Sequence, residues 1–241
     1  MGFTIGGIRE LRELRLAARR GRRPGRPRGS DPMSTAVAEY TGLWGWDVAP
    51  GARAVRGVDG PECSCGSRAC PAPGAHPLDA GLEVPAGATL DEAGRAWAGV
   101  PGAALLLPTG RAFDVVEVPE EAGRRALVRL ERMGAPLGPV ALAPHGRAWF
   151  LVAPGAAVEL PELLRRTGGG REGLGLSCLG PGGYITAPPS VVGGLGPVRW
   201  LRPPTPESAG RPPEARLLLS TLLRLSRRVG AASAGWLPTT A

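Results

Sequence analysis

The chain has no lysine and no asparagine; all 29 basic residues among its 241 are arginine. Codons for the two missing residues are AT-rich, and glycine, alanine, proline and arginine are abundant, so the bias points to a GC-rich genome. Arginine content alone is therefore a weak sign of nucleic-acid binding. Without lysine no Gly-x4-Gly-Lys-Ser/Thr loop exists, which excludes the phosphate-binding motif of a helicase-type ATPase. No run of about 18 apolar residues occurs, which argues against a transmembrane helix. The arginine-rich start lacks an apolar stretch and a small-residue cleavage site, so no secretory signal is expected and a cytoplasmic protein is the default. Histidine is nearly absent as well: the chain has 2, His76 and His145. The length suits one sizeable core, or one core with appendages.

Where arginine falls says more than its amount. Residues 1–32 hold nine arginines against Glu10, Glu13 and Asp31, a surplus of +6 out of the net +8. Such an arm attracts polyanions by counterion release without reading sequence. Its first part, residues 5–20, reads as an amphipathic helix with Ile5, Ile8, Leu11 and Leu14 on one stripe. The run from Arg22 to Arg28 resembles an AT-hook, whose Gly-Arg-Pro core lies in a narrow minor groove, although Pro24 stands where that motif has arginine. Arg22, Arg23, Arg26 and Arg28 are thus candidate DNA contacts. Two other readings stay open: a solvated basic linker, and a true start at Met33.

Three parts are expected: a basic arm over 1–33, a folded domain over 34–204, and a helix and tail over 205–241. A short helix from Ala36 to Leu43 leads to Gly45-Trp46 and a strand ending at Pro50-Gly51. Residues 52–80 are rich in Gly, Pro and Cys, and no regular element is expected there. Thr89 and Glu92 form a capping box for a helix reaching Trp97. Apolar runs at Ala103–Leu107 and Ala112–Val118 read as strands around a Pro108-Thr109-Gly110 turn. Glu120–Met133 has helical spacing and ends at Gly134. Pro139–Ala143 and Ala148–Ala153 read as a hairpin about His145-Gly146. A helix from Val158 to Arg166 and short strands at Tyr184–Ala187 and Val198–Leu201 follow. The last helix begins at Pro213, carries Leu217, Leu218, Leu222 and Leu225, and ends at Arg227-Arg228. Mixed helices and hairpins of this kind define an α+β fold class, a mixed or antiparallel sheet with flanking helices.

Cys63, Cys65, Cys70 and His76 lie within fourteen residues, in a loop able to bend around an ion. Four soft or borderline ligands complete a tetrahedral zinc site with no open position, so a structural zinc knuckle is one reading. Reduced surface thiols are the other, since disulfides are disfavoured in the cytosol. Cys178, in an apolar stretch, reads as a small buried hydrophobe.

Several strings occur in a telling order: Gly45-Trp46 to Pro50-Gly51, the Cys/His string, Thr109-Gly110-Arg111, Phe113 to Val118, Arg147 to Leu151, and Gly180-Pro181-Gly182-Gly183-Tyr184 to Pro188-Pro189-Ser190. Together they resemble the N-terminal domain of bifunctional DNA primase/polymerases (Prim-Pol). The resemblance implies nucleotidyl transfer in DNA replication, with DNA and nucleotide as partners. It also implies two Mg or Mn ions held by an Asp-x-Asp strand and a third Asp, with a His gripping the triphosphate. In this chain Glu117 stands at the first Asp, Pro119 at the second and Ser177 at the third. Arg147 stands at the His, with His145 two residues before it.

Candidate catalytic residues are then Glu117 and Asp114, although on a strand residues three apart face opposite sides. Candidate nucleotide-binding residues are Arg147 and His145. One carboxylate does not hold two metal ions. Three functions stay open: a polymerase with substitute ligands, a non-catalytic nucleic-acid- or nucleotide-binding protein, and an interaction module that docks partners through its terminal helices.

Overall fold

The computed structural model describes residues 32–57, 61–67, 69–70, 73–79, 81–166, 175–192 and 195–234. The basic arm, with Arg22, Arg23, Arg26 and Arg28, lies outside the described residues.

The chain enters through helix α1 (Pro32–Gly42) and strand β1 (Ala49–Gly51). Strands β2 (Ala54–Arg56) and β3 (Pro61–Cys63) then pair antiparallel, so part of the 52–80 stretch is regular after all. The hairpin forms because backbone bonds can pair whatever the side chains are: Ser64 N–H donates to Arg53 O at 2.8 Å, and Arg53 N–H to Ser64 Oγ at 2.9 Å. Helix α2 (Leu90–Ala98) carries the expected capping box between Thr89 and Glu92.

Strands β4 (Ala104–Pro108), β5 (Asp114–Pro119), β6 (Val140–Ala143) and β7 (Arg147–Val152) follow, with α3 (Glu120–Arg132) between β5 and β6. Then come α4 (Ala156–Arg166), β8 (Ser177–Leu179), β9 (Tyr184–Thr186), β10 (Val191–Val192), β11 (Gly196–Pro197) and β12 (Arg199–Arg202). Helices α5 (Pro206–Gly210) and α6 (Ala215–Ala234) end the described chain. Helix α6 continues through Gly230 instead of stopping at Arg227-Arg228. Its buried stripe includes Leu219 and Leu223, while Leu217 faces solvent.

The main sheet has the order β12-β6-β7-β5-β8, and all its pairings are antiparallel. Period-two alternation gives it two apolar faces. On one face Val116, Val118, Phe150 and Val152 meet α3, α4 and α6 through Ala126, Leu130, Leu160, Leu218 and Leu222. Gly123 allows α3 to approach closely, because a Cβ there would lie 2.3 Å from that of Ala148. On the other face Val115, Ala141, Trp149 and Leu151 join Trp46, Trp97, Leu105, Leu107 and Ile185 from α1, α2 and the small sheet β1-β4-β9. The architecture is α+β. No helix among the described residues is long and apolar enough to cross a membrane.

Two turns lock the sheets together. Thr109 Oγ1 donates to Gly180 O at 2.5 Å, and Thr109 N–H to Gly183 O at 2.9 Å. Gly110 takes φ +93°, and a Cβ there would fall 2.4 Å from the Pro181 backbone. The Pro188-Pro189-Ser190 turn is bound similarly: Tyr40 Oη donates to Pro188 O at 2.8 Å, and Leu105 N–H to the buried Ser190 Oγ at 2.7 Å. These residues hold backbone segments together.

Candidate functional site

Two side-chain clusters stand out. The first lies beside the edge of the small sheet. The metal-binding atoms of Cys63, Cys65, Cys70 and His76 all fall within 4.8 Å of one another. Cys63 Sγ and His76 Nε2 are 3.3 Å apart. At zinc–ligand bonds of about 2.0–2.3 Å, tetrahedral ligands stand about 3.5–3.8 Å apart, so the spacing suits one ion.

Backbone bonds place the ligands: Ala52 N–H donates to His76 O at 2.8 Å, and Leu78 N–H to Pro50 O at 3.0 Å. His76 Nδ1 lies 3.0 Å from Pro77 O. A proton on Nδ1 satisfies that carbonyl and leaves the Nε2 lone pair facing the thiols, the arrangement common to metal-bound histidines. Burial pushes the Cys63 thiol up, but the backbone N–H groups of Cys65 and Gly74, with His76 and Cys65 side chains, outweigh it and bring it down to about 6. The donor set and its geometry fit a structural metal ion. Cys178 stands apart, half-buried on the sheet face that packs against α3, α4 and α6, where burial and then Asp114 push its thiol up to about 12.

The second cluster forms on the main sheet, on the face turned toward the small sheet. Antiparallel register sets Trp149, Glu117 and Ser177 in one row across β7, β5 and β8. Arg147 lies one pleat further along β7, opposite Pro119. All these side chains converge on the Glu117 carboxylate. Trp149 Nε1 donates to Oε2 at 2.8 Å, Ser177 Oγ to Oε1 at 3.1 Å, and Arg147 Nη2 approaches Oε1 at 3.0 Å. Arg147 also donates to Gly175 O. The side chains of Glu117 and Arg147 are 20% and 22% exposed, so the pair is largely withdrawn from solvent. His145 meets the Trp149 ring edge-on, with centroids 5.8 Å apart.

Burial lowers the His145 pKa; the Glu117 charge opposes this and Arg147 adds to it. Nuclear magnetic resonance titration of the two histidines should therefore place the His145 midpoint below 6.5. Glu117→Gln is expected to lower it further and Arg147→Met to raise it. A His145 midpoint unmoved by either change would show that the imidazole does not sense the pair.

Asp114 lies on the opposite face, as the three-residue spacing requires, and is fully buried. Its Oδ2 accepts from Gly155 N–H at 3.1 Å and Ala157 N–H at 2.9 Å, so it caps the N-terminus of α4 from another strand. Its Oδ1 has no hydrogen-bond partner among the described residues. The sheet thus separates the two carboxylates of β5. Trp149 and Phe150 are both core, on opposite faces of the sheet. What sequence reasoning missed is the role of Trp149 and Ser177 as donors to Glu117; the signal is cross-strand register, which needs strand β8 to be recognised.

The residues of the second cluster do not fit a pair of divalent cations. Two-metal sites need several oxygen ligands with free lone pairs. Among the described residues one carboxylate is present here, and three donors already face its oxygens.

A family model described as bifunctional DNA primase/polymerase, N-terminal (Prim-Pol), matches residues 37–215. The match covers most of the chain, which belongs to this family. No curated protein matches the chain, and neither does any solved structure.

Proposed function

We propose that this chain is a Prim-Pol domain that binds nucleic acid in a replication context and does not itself transfer nucleotides. The observation that carries the reading is the state of Glu117: among the described residues it is the one carboxylate on its patch of the sheet, with Pro119 and Ser177 at the neighbouring positions. It is neutralised by Arg147. Nucleotidyl transfer requires cations to activate the attacking hydroxyl and to neutralise the leaving pyrophosphate. Among the described residues nothing on this patch offers the ligands for them.

Cys63, Cys65, Cys70 and His76 hold a structural zinc ion that fixes the loop beside β1. Nucleic-acid binding rests on the arginine surplus of residues 1–32, with Arg22, Arg23, Arg26 and Arg28 as phosphate or minor-groove contacts. Two measurements test the reading. Incubation with labelled nucleotides, template and Mg or Mn should give no incorporation above that of the Glu117→Ala chain. Binding to duplex DNA should fall steeply with salt and disappear on removal of residues 1–32. Template-directed incorporation lost in Glu117→Ala would refute the first claim. Salt-insensitive binding retained by the shortened chain would refute the second.

A further inference from the structure

We infer that the guanidinium of Arg147 is the built-in cation of the Glu117 patch and stands where a divalent metal ion would otherwise sit. The inference rests on the loss of catalysis proposed above and gives it a physical cause. A carboxylate has about four lone-pair positions. Arg147 and Ser177 address Oε1, at 3.0 and 3.1 Å, and Trp149 addresses Oε2 at 2.8 Å. An incoming cation must displace donors whose hydrogens point at the same oxygens, and must come close to a fixed positive charge.

Arg147 is held there twice over, since it also binds the Gly175 carbonyl. The strand register puts its Cα opposite Pro119, one pleat from Glu117. A guanidinium keeps its charge at any ordinary pH, so this cation, unlike a bound metal ion, cannot be lost to solvent. The site is therefore indifferent to magnesium or manganese. The guanidinium, committed to Glu117 and Gly175, does not serve as a free phosphate anchor.

The register also says how to reverse this. Ser177 is the direct cross-strand partner of Glu117, so Ser177→Asp places two carboxylates side by side. With Arg147 removed, those charges repel unless a cation lies between them. The test uses the full chain, with zinc supplied beforehand, and manganese as the probe. Free manganese is followed by electron paramagnetic resonance and stability by thermal melting. The wild-type chain should take up no more manganese than Glu117→Gln, and its Tm should not respond to the metal.

The Arg147→Ala/Ser177→Asp chain should bind about one further ion and gain about 3 °C or more at millimolar manganese. A double variant that folds only with manganese present supports the inference equally. Where it does not fold at all, Arg147→Met decides: its Tm should rise with manganese while the wild type stays flat. Manganese binding by the wild type that is lost in Glu117→Gln overturns the inference. So does a folded double variant that binds no additional ion, or an Arg147→Met chain unmoved by manganese. Nucleotide incorporation by a wild type that shows no manganese at Glu117 would sink the non-catalytic reading and leave this one standing.

Discussion

Removing the proposed zinc ion, by a strong chelator or by His76→Ala, is expected to release the loop over residues 52–79 while the five-stranded sheet stays folded. Among its described residues the loop has almost no apolar interior of its own; Ala52 is fully buried, but Cys63, Cys70 and His76 are only half-buried and Cys65 is exposed. What fixes it without metal is a handful of backbone bonds, such as those of Ala52 to His76 and Ser64 to Arg53. Structural zinc in small peptides contributes about 10–16 kcal/mol of apparent binding energy. A folded body that survives without the ion loses less, about 3 kcal/mol, which corresponds to about 6–12 °C in Tm for a chain of this size.

Hydrogen exchange should locate the loss. The amides of Ala52, Ser64 and Leu78 lose about 100-fold protection, and those of β5 and β7 keep theirs. The pH dependence has a definite sign. In the metal-free chain Cys63 is depressed from its ordinary 9.0 to about 6, so its contribution is complete above pH 9.0 and lost as pH falls through about 6. Zinc retention should fail over the same acid range, because protons compete for the thiolate. Purified protein with far less than one zinc per chain after growth in zinc-supplemented medium would end the metal assignment, as would an exchange pattern unchanged by chelation.

Asp114→Ala is expected to destabilise the protein by about 2–4 kcal/mol without touching the Glu117 patch. The carboxylate is fully buried and holds two amides at the start of α4, Gly155 and Ala157. Deleting it takes the acceptor from both amides at a half-buried helix start, where an unmet donor costs up to about 1–3 kcal/mol if water does not reach it. Asp114→Asn keeps an acceptor oxygen and loses the favourable interaction of charge with the helix dipole, so about 1 kcal/mol is expected. Urea denaturation midpoints of the two variants measure this ordering. An alanine variant as stable as the wild type would remove Asp114 from its capping role.

The sequence made the apolar scaffold legible, because it is written in short-range patterns. Leu105 and Leu107 of β4, the Thr89–Glu92 cap, and the α3 stripe of Ala122, Ala126, Leu127 and Leu130 were all readable from spacing. The opposed faces of Asp114 and Glu117 followed from strand periodicity alone. What spacing did not reveal were the partners of those carboxylates. Gly155 is 41 residues from Asp114, and Ser177 is 60 from Glu117. Such meetings are decided by strand order and register, which no local pattern encodes. The β2–β3 hairpin was missed for a related reason: its pairing uses main-chain groups in a stretch whose composition argues for irregular loop.

The interlocking of the Thr109-Gly110 turn with Gly180–Gly183 has a wider consequence. Those turns meet a steric demand, one backbone resting on another; a Cβ at Gly110 has nowhere to go. The steric demand is the same whether or not any chemistry takes place nearby. The turns therefore report the fold and are silent on the chemistry, which rests with the few polar side chains between them.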